Sequence, residues 1–189
     1  MLRLNLYLFL TLNAPAHPSA PILSIAIFLA EYLIWLVPLL LLGGWFAGGP
    51  GLRRSLFGAG ITALCALAIS QFIGLLWPNP RPFVLGLGHT LIPHAADPSF
   101  PSDHLTLFWS VACALSLNAV TRRAGVCLCL LGLPMAWSRV YLGVHYPLDM
   151  LGAAIVSLAT GLLVFRAARS AVERAFVCFD ALPFPRRGH

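Results

Sequence analysis

Long apolar runs separated by short polar breaks dominate the chain. Five windows reach or approach the roughly 20 mostly apolar residues that a helix needs to cross a bilayer. They run from Pro21 to Gly44, Ser55 to Trp77, His104 to Val120, Ala124 to Leu142 and Leu148 to Val164. Polar residues gather in three short connectors and one long loop, Pro78 to Asp103. The connectors are too small for a separate soluble domain, and neither an internal repeat nor a low-complexity segment interrupts the pattern. The pattern predicts an all-α polytopic membrane protein: a single domain over residues 1–189, built as a bundle of five transmembrane helices.

The first 20 residues are ambiguous by length. Leu4 to Leu12 is apolar but only about half a span. Arg3 and Ala14-Pro15-Ala16 imitate a secretory signal and its cleavage site, but Asn5 breaks the apolar run and a proline sits inside the site. An interfacial helix within residues 1–20, ended by Asn13 and Pro15, is the preferred reading. Insertion of this segment would instead make a sixth span.

Composition supports a membrane protein. Hydrophobic residues make up 59% of the chain and charged ones 10%, against about 25% charged in ordinary soluble domains; the mean hydropathy is +0.86. The net charge of +6 comes from twelve arginines, since there is no lysine. These arginines are scattered between apolar runs without an aromatic-interleaved basic face, which excludes a nucleic-acid partner. The five cysteines show neither a CxxC nor a Cys/His zinc spacing and are expected to be buried free thiols.

Sorting the arginines by side gives an orientation. With five spans, the connectors carrying Arg53, Arg54, Arg122 and Arg123 share one side with the tail 166–189, which carries Arg166, Arg169, Arg174, Arg186 and Arg187. Nine of twelve arginines on that side make it the cytoplasmic one. The long loop and the connector after span four then face outward.

Three polar stretches lie on the outward side: Asn79-Pro80-Arg81-Pro82, Pro101-Ser102-Asp103-His104, and Ser138-Arg139 followed by His145 and Asp149. Ionisable groups at membrane depth are costly unless paired or functional. Two guanidinium forks beside a serine and a helix start would make a phosphate cradle. Pro147 suits the first position of span five, which puts Asp149 third, able to fold back and fix one imidazole nitrogen of His145 while the other is left as a nucleophile. His104 opens span three and is placed to act as a proton donor. Asp103 is a candidate cap for that span.

Together these stretches resemble the three motifs of the type 2 phosphatidic acid phosphatase superfamily, Lys-x6-Arg-Pro, Pro-Ser-Gly-His and Ser-Arg-x5-His-x3-Asp. The runs SFPSDH (99–104) and AWSRVYLGVHYPLD (136–149) and the opening LNLYLFLTLNA resemble its bacterial undecaprenyl-diphosphatase branch, linked to bacitracin resistance. Two positions depart from the wider family: Gly74 stands where the first motif has lysine, and Asp103 where the second has glycine. Both look like features of the undecaprenyl-diphosphatase branch.

The resemblance implies that Arg81, Ser102 and Arg139 hold phosphate, with Pro101, Asp103 and Ser138 among the substrate-binding residues. It implies that His145 attacks phosphorus, Asp149 orients it, and His104 protonates the leaving group and later activates water. Neither metal nor cofactor is implied. The expected substrate is undecaprenyl diphosphate at the outer face of a bacterial cytoplasmic membrane, cleaved to the monophosphate carrier for wall synthesis. The motifs describe the phosphate and not its tail, so phosphatidate, phosphatidylglycerol phosphate or lipid A, as substrate or phosphate acceptor, is an alternative. A lipid-binding transport bundle is a third reading, disfavoured by the oriented nucleophile.

His94 and Asp97, with His89, lie in the long loop as secondary candidates. Glu31 is the only charged residue in span one, either an interfacial or helix-paired carboxylate or a group lining the lipid's path to the site. Gln71 and Ser70 are expected to join helices. The residues assign no oligomeric state.

Overall fold

The structure is a computed structural model that describes residues 3–180, and all regular structure among them is helical. The helices are α1 (Arg3–Leu12), α2 (Ala20–Ala47), α3 (Pro50–Leu76), α4 (Asp103–Leu117), α5 (Arg122–Tyr141), α6 (Pro147–Arg166) and α7 (Arg169–Asp180). Four of them, α2, α3, α5 and α6, are long and apolar enough to cross a membrane. The fifth predicted span is α4, with 15 residues, about 22 Å of helix against a hydrocarbon core of about 30 Å. It is the central element, packed on α3, α5 and α6. Because its neighbours enclose it, its own length need not match the bilayer. This is a multi-pass membrane protein.

The core forms where small residues let helices approach closely, as expected where lipid supplies little driving force. On α3 the buried face is Ser55, Ala59, Thr62, Ala63, Ala66 and Ser70. Against it lie Leu105, Phe108, Val111, Ala112 and Leu115 of α4. On its other side α4 places the Trp109 indole over Gly132 of α5, where any side chain would overlap the ring, and the indole N–H donates to the Cys129 carbonyl at 3.2 Å. Phe28, Trp35, Leu39, Leu42 and Phe46 of α2 are exposed, the mark of a helix facing lipid.

The structure corrects several limits. Pro50 begins α3, so Arg53 and Arg54 are its fourth and fifth residues rather than part of a connector. Gly49 caps the helix, and proline is well suited to the first helical position. Within α2 the winding loosens to a π turn at Phe28–Tyr32, which contains its one charged residue, Glu31, and then tightens to a 3-10 turn at Leu33–Trp35. Within the tail 166–189, α7 folds back onto the bundle. The signal for it was the spacing of Val172, Phe176 and Phe179; the two phenylalanines pack with Trp45 and Phe57 at centroid distances of 5.4–6.3 Å. Arg186, Arg187 and His189 fall outside the described residues. All five cysteines are free, but Cys65, Cys127 and Cys178 are exposed rather than buried, because they lie on outward helix faces.

At the other end, α1 is tied to the bundle by two asparagines. Asn5 Oδ1 accepts the Leu148 N–H at 3.1 Å, one of the free donors at the start of α6. Asn13 ends α1 and joins the long loop to α5: its Nδ2 donates to the carbonyls of His89 and Tyr141, and its Oδ1 accepts the His89 N–H. Gly143, with φ +81°, lets the connector pass the His89 carbonyl where no Cβ would fit.

Candidate active site

The site begins at the first turn of α6. Pro147 is the first helical residue and Tyr146 its cap. Asp149 folds back so that Oδ2 accepts the Tyr146 N–H at 2.8 Å, while its own N–H donates to the Tyr146 carbonyl at 3.0 Å. The same Oδ2 accepts the Ser99 hydroxyl and lies 3.1 Å from His145 Nδ1. With Nδ1–H donating to this carboxylate, His145 Nε2 carries a lone pair, and Arg81 Nη1 lies 2.9 Å from it. His145 and Asp149 are both 1% exposed, so bulk water does not compete for these bonds.

Two buried arginines flank the imidazole. Arg81 donates through Nε to the Asp97 carboxylate at 2.9 Å and through Nη1 to the Val144 carbonyl at 3.0 Å. Arg139 is fully buried; Nη1 donates to Glu31 Oε1 at 3.2 Å and Nη2 to His94 Nε2 at 2.8 Å. The second bond needs His94 to carry its proton on Nδ1, and Nδ1 indeed faces the Ala95 carbonyl at 3.1 Å. The rings of His94 and His145 meet edge to face, 6.1 Å apart.

Burial sets the charge state of these rings. It pushes His145 well below the ordinary histidine value, and the positive charges of Arg139 and Arg81 push it further. Burial also lowers His94, partly opposed by its bond to Ala95. Both imidazoles are therefore neutral near pH 7, as their bonding requires.

His104 opens the second wall. It is the second residue of α4, its imidazole forms no hydrogen bond with the described residues, and the guanidinium groups of Arg139 and Arg81 are its main charged neighbours. Ser102, not Asp103, is the cap residue of α4, and it makes no side-chain cap bond. Asp103 is instead the first helical residue, its two oxygens taken by Ser70 Oγ at 2.9 Å and Gln71 Nε2 at 2.6 Å. Both partners lie on α3 and thus join it to α4. Ser138 spends its hydroxyl on the Met135 carbonyl of its own helix, at 2.7 Å. Pro101 is buried beside Ser102. Gly74, where the resemblance has lysine, abuts Pro98, and a Cβ there would lie 3.5 Å from that ring.

Sequence reasoning missed Ser99, although it opens one of the runs noted above. It also gave no partner for Glu31 or His94, and nothing local in the sequence pairs either with Arg139.

Several buried polar atoms are unsatisfied among the described residues, and two lie on proposed phosphate ligands, Ser102 Oγ and Arg139 Nε. A buried donor without an acceptor costs about 1–3 kcal/mol. A ligand with several anionic oxygens between α4 and α5 would satisfy both. No three His, Cys, Asp or Glu side chains among the described residues are grouped to hold a metal ion.

Comparison with known proteins matches residues 55–173 to the PAP2 superfamily. The undecaprenyl-diphosphatase BcrC of Bacillus subtilis is 39% identical over 86% of this chain and 83% of its own. The putative undecaprenyl-diphosphatase YbjG of Escherichia coli is 42% identical over 82% and 78%. Among solved structures, LpxE of Aquifex aeolicus superposes with a TM-score of 0.66 over 86% of this chain and 95% of its own, at 24% identity, a likeness of fold.

Proposed function

The chain belongs to the PAP2 superfamily and is a membrane phosphatase, and on that premise we propose that it hydrolyses undecaprenyl diphosphate to undecaprenyl phosphate and inorganic phosphate through a phosphohistidine. One observation carries the mechanism: His145 is held by Asp149 through Nδ1, so that Nε2 is unprotonated and faces Arg81.

In the first step, Arg81 Nη1 turns from Nε2 to a phosphoryl oxygen, and Nε2 attacks the terminal phosphorus in line with the bridging oxygen. The P–O bond to that oxygen breaks, and His104 donates a proton to the departing monophosphate. Positive charge growing on the imidazole is balanced by Asp149, while charge on the equatorial oxygens is met by Arg81, Arg139 and Ser102 Oγ. In the second step, His104 takes a proton from water, the water oxygen attacks phosphorus and the P–N bond breaks. Inorganic phosphate leaves and both histidines return to their starting states. No metal enters this scheme, so turnover is expected to persist in EDTA.

Asp97 and Glu31 fit as carboxylates that hold the two arginines in the resting site. Among the described residues, Arg53, Arg54, Arg122, Arg123, Arg166, Arg169 and Arg174 at the opposite end argue for a cytoplasmic-membrane orientation in which His145 faces the periplasm or exterior. The isoprenoid substrate rests on the two relatives, since the cradle itself reads only phosphate.

The test is phosphate release by the purified protein from undecaprenyl diphosphate, phosphatidate and phosphatidylglycerol phosphate side by side. Undecaprenyl diphosphate is expected to be preferred, and His145→Ala to lose about 10⁴-fold or more in kcat while remaining folded. A strong preference for a glycerophospholipid, or phosphate transfer to lipid A in place of water, would overturn the substrate assignment. Turnover by His145→Ala at the wild-type rate would overturn the mechanism.

A further inference from the structure

At the arginine-rich end, far along the bundle from His145, α3, α4, α6 and α7 enclose a cavity of about 480 Å³. That is within the range of ligand pockets, and nothing in the phosphatase reaction uses it. Its wall is formed by Gly58, Ala59, Thr62, Gly161 and Val164. The hydroxyl of Thr62 is spent on the Gly58 carbonyl at 2.8 Å, so the wall presents an essentially apolar surface. At Gly58 an added Cβ would meet only Val172 Cγ1, at 3.8 Å, which shows open space beside that residue.

The rim has the opposite character. Arg54, Arg122, Arg169 and Glu173 line it. Glu173 pairs with Arg54 at 3.1 Å. Arg122 and Arg169 have no carboxylate partner among the described residues, and Arg169 lies 5.9 Å over the Phe165 ring. One carboxylate against three guanidinium groups leaves two positive charges uncompensated above an apolar hollow.

From this we propose that the cavity is a binding site for one anionic diacyl phospholipid of the leaflet on the arginine-rich side. The headgroup phosphate is held by Arg122 and Arg169, and an acyl chain fills the hollow between Gly58 and Gly161. Basic pockets between membrane helices suit anionic headgroups, and guanidinium groups bind phosphate oxygens in pairs. A soluble phosphate would satisfy the rim but leave the wall empty, which is why the occupant is a lipid. Because α7 closes the cavity with Val172 and Glu173, the bound lipid also seats that helix on the bundle.

The test uses the full-length protein in phosphatidylcholine nanodiscs or mild detergent. Native mass spectrometry would titrate phosphatidylglycerol and phosphatidylcholine of identical chains, with glycerol 3-phosphate as a soluble competitor. Phosphatidylglycerol is expected to bind at least about tenfold more tightly than phosphatidylcholine. The R122Q/R169Q pair should erase that preference, with R122Q alone reducing it severalfold should the double variant fold poorly. Gly58→Leu should weaken both lipids by filling the hollow. Phosphate release from undecaprenyl diphosphate should stay within about twofold of wild type in all three variants. Equal binding of the two lipids, a preference undiminished in R122Q or surviving R122Q/R169Q, or full displacement by glycerol 3-phosphate would overturn the proposal.

Discussion

The two ends of this bundle use arginine in contrasting ways. At one end Arg81 and Arg139 are 3% and 0% exposed, and each is held by a carboxylate and by an imidazole nitrogen. At the other, Arg54, Arg122 and Arg169 are exposed around a cavity, with one carboxylate among them. Burying a guanidinium without partners is prohibitive, so the first pair must be organised before any ligand arrives. The second group keeps its hydration and serves orientation and surface attraction. The difference teaches that charge type alone does not mark a site. What marks it is charge that the fold has desolvated and then fixed in direction.

Substitutions at the buried end should therefore be far more damaging than those at the exposed end. The largest effect after loss of His145 is expected at His104, where alanine should lower kcat by about 10²–10⁴-fold. Much of that loss should disappear with an aryl phosphate, whose leaving group needs no proton. An equal loss on both substrates would remove His104 from the acid role.

Glu31 comes next, because it touches Arg139 and not phosphate. Glu31→Ala frees one edge of that guanidinium and should raise KM about tenfold with little change in kcat. Glu31→Gln keeps an oxygen acceptor for Arg139 Nη1 and should restore most of the affinity. A defect in Gln as deep as in Ala would mean that the charge of Glu31, rather than its geometry, is needed.

A smaller effect concerns pH. His145 must be neutral to attack, and its burial and arginine neighbours hold it well below its ordinary value of 6.5. Protonation then silences the enzyme only when pH falls below that value. With an aryl phosphate, whose departure needs no proton from His104, and after correction for the substrate's own phosphate titration, kcat/KM should stay level from about pH 7.5 through 6.5 and decline at lower pH. A midpoint at or above 6.5 would show that the imidazole is not desolvated as described. The smallest effect is expected from Arg122 and Arg169, whose replacement should leave turnover nearly unchanged. A large loss there would collapse the contrast between the two ends.

Much of this organisation is legible in the sequence. Span positions follow from apolar length, and Pro147 with Asp149 announces the start of α6, because proline brings no N–H that would go unpaired in the first turn and a third-position acid can accept the N–H of the cap residue. Gln71 and Ser70 join α3 to α4 as polar groups in apolar helices must, but the partner they find is Asp103. The expected cap role of Asp103 failed because the chain enters α4 one residue earlier, at Ser102. Less could be read where contacts join distant parts of the chain. Ser99 meets Asp149 across 50 residues, Glu31 meets Arg139 across 108, and Asn5 meets Leu148 across 143. No local pattern encodes those pairs, which follow from how the helices pack.

The central claim is that His145 becomes phosphorylated. Its most direct test is rapid quench of the enzyme with undecaprenyl diphosphate labelled in the terminal phosphate, denaturation in alkali, which preserves phosphohistidine, and mapping of the labelled peptide. The expected result is a burst of acid-labile, base-stable label on the peptide containing His145, absent in His145→Ala. Continued turnover with no label on the protein, or label on His104 instead, would contradict the account.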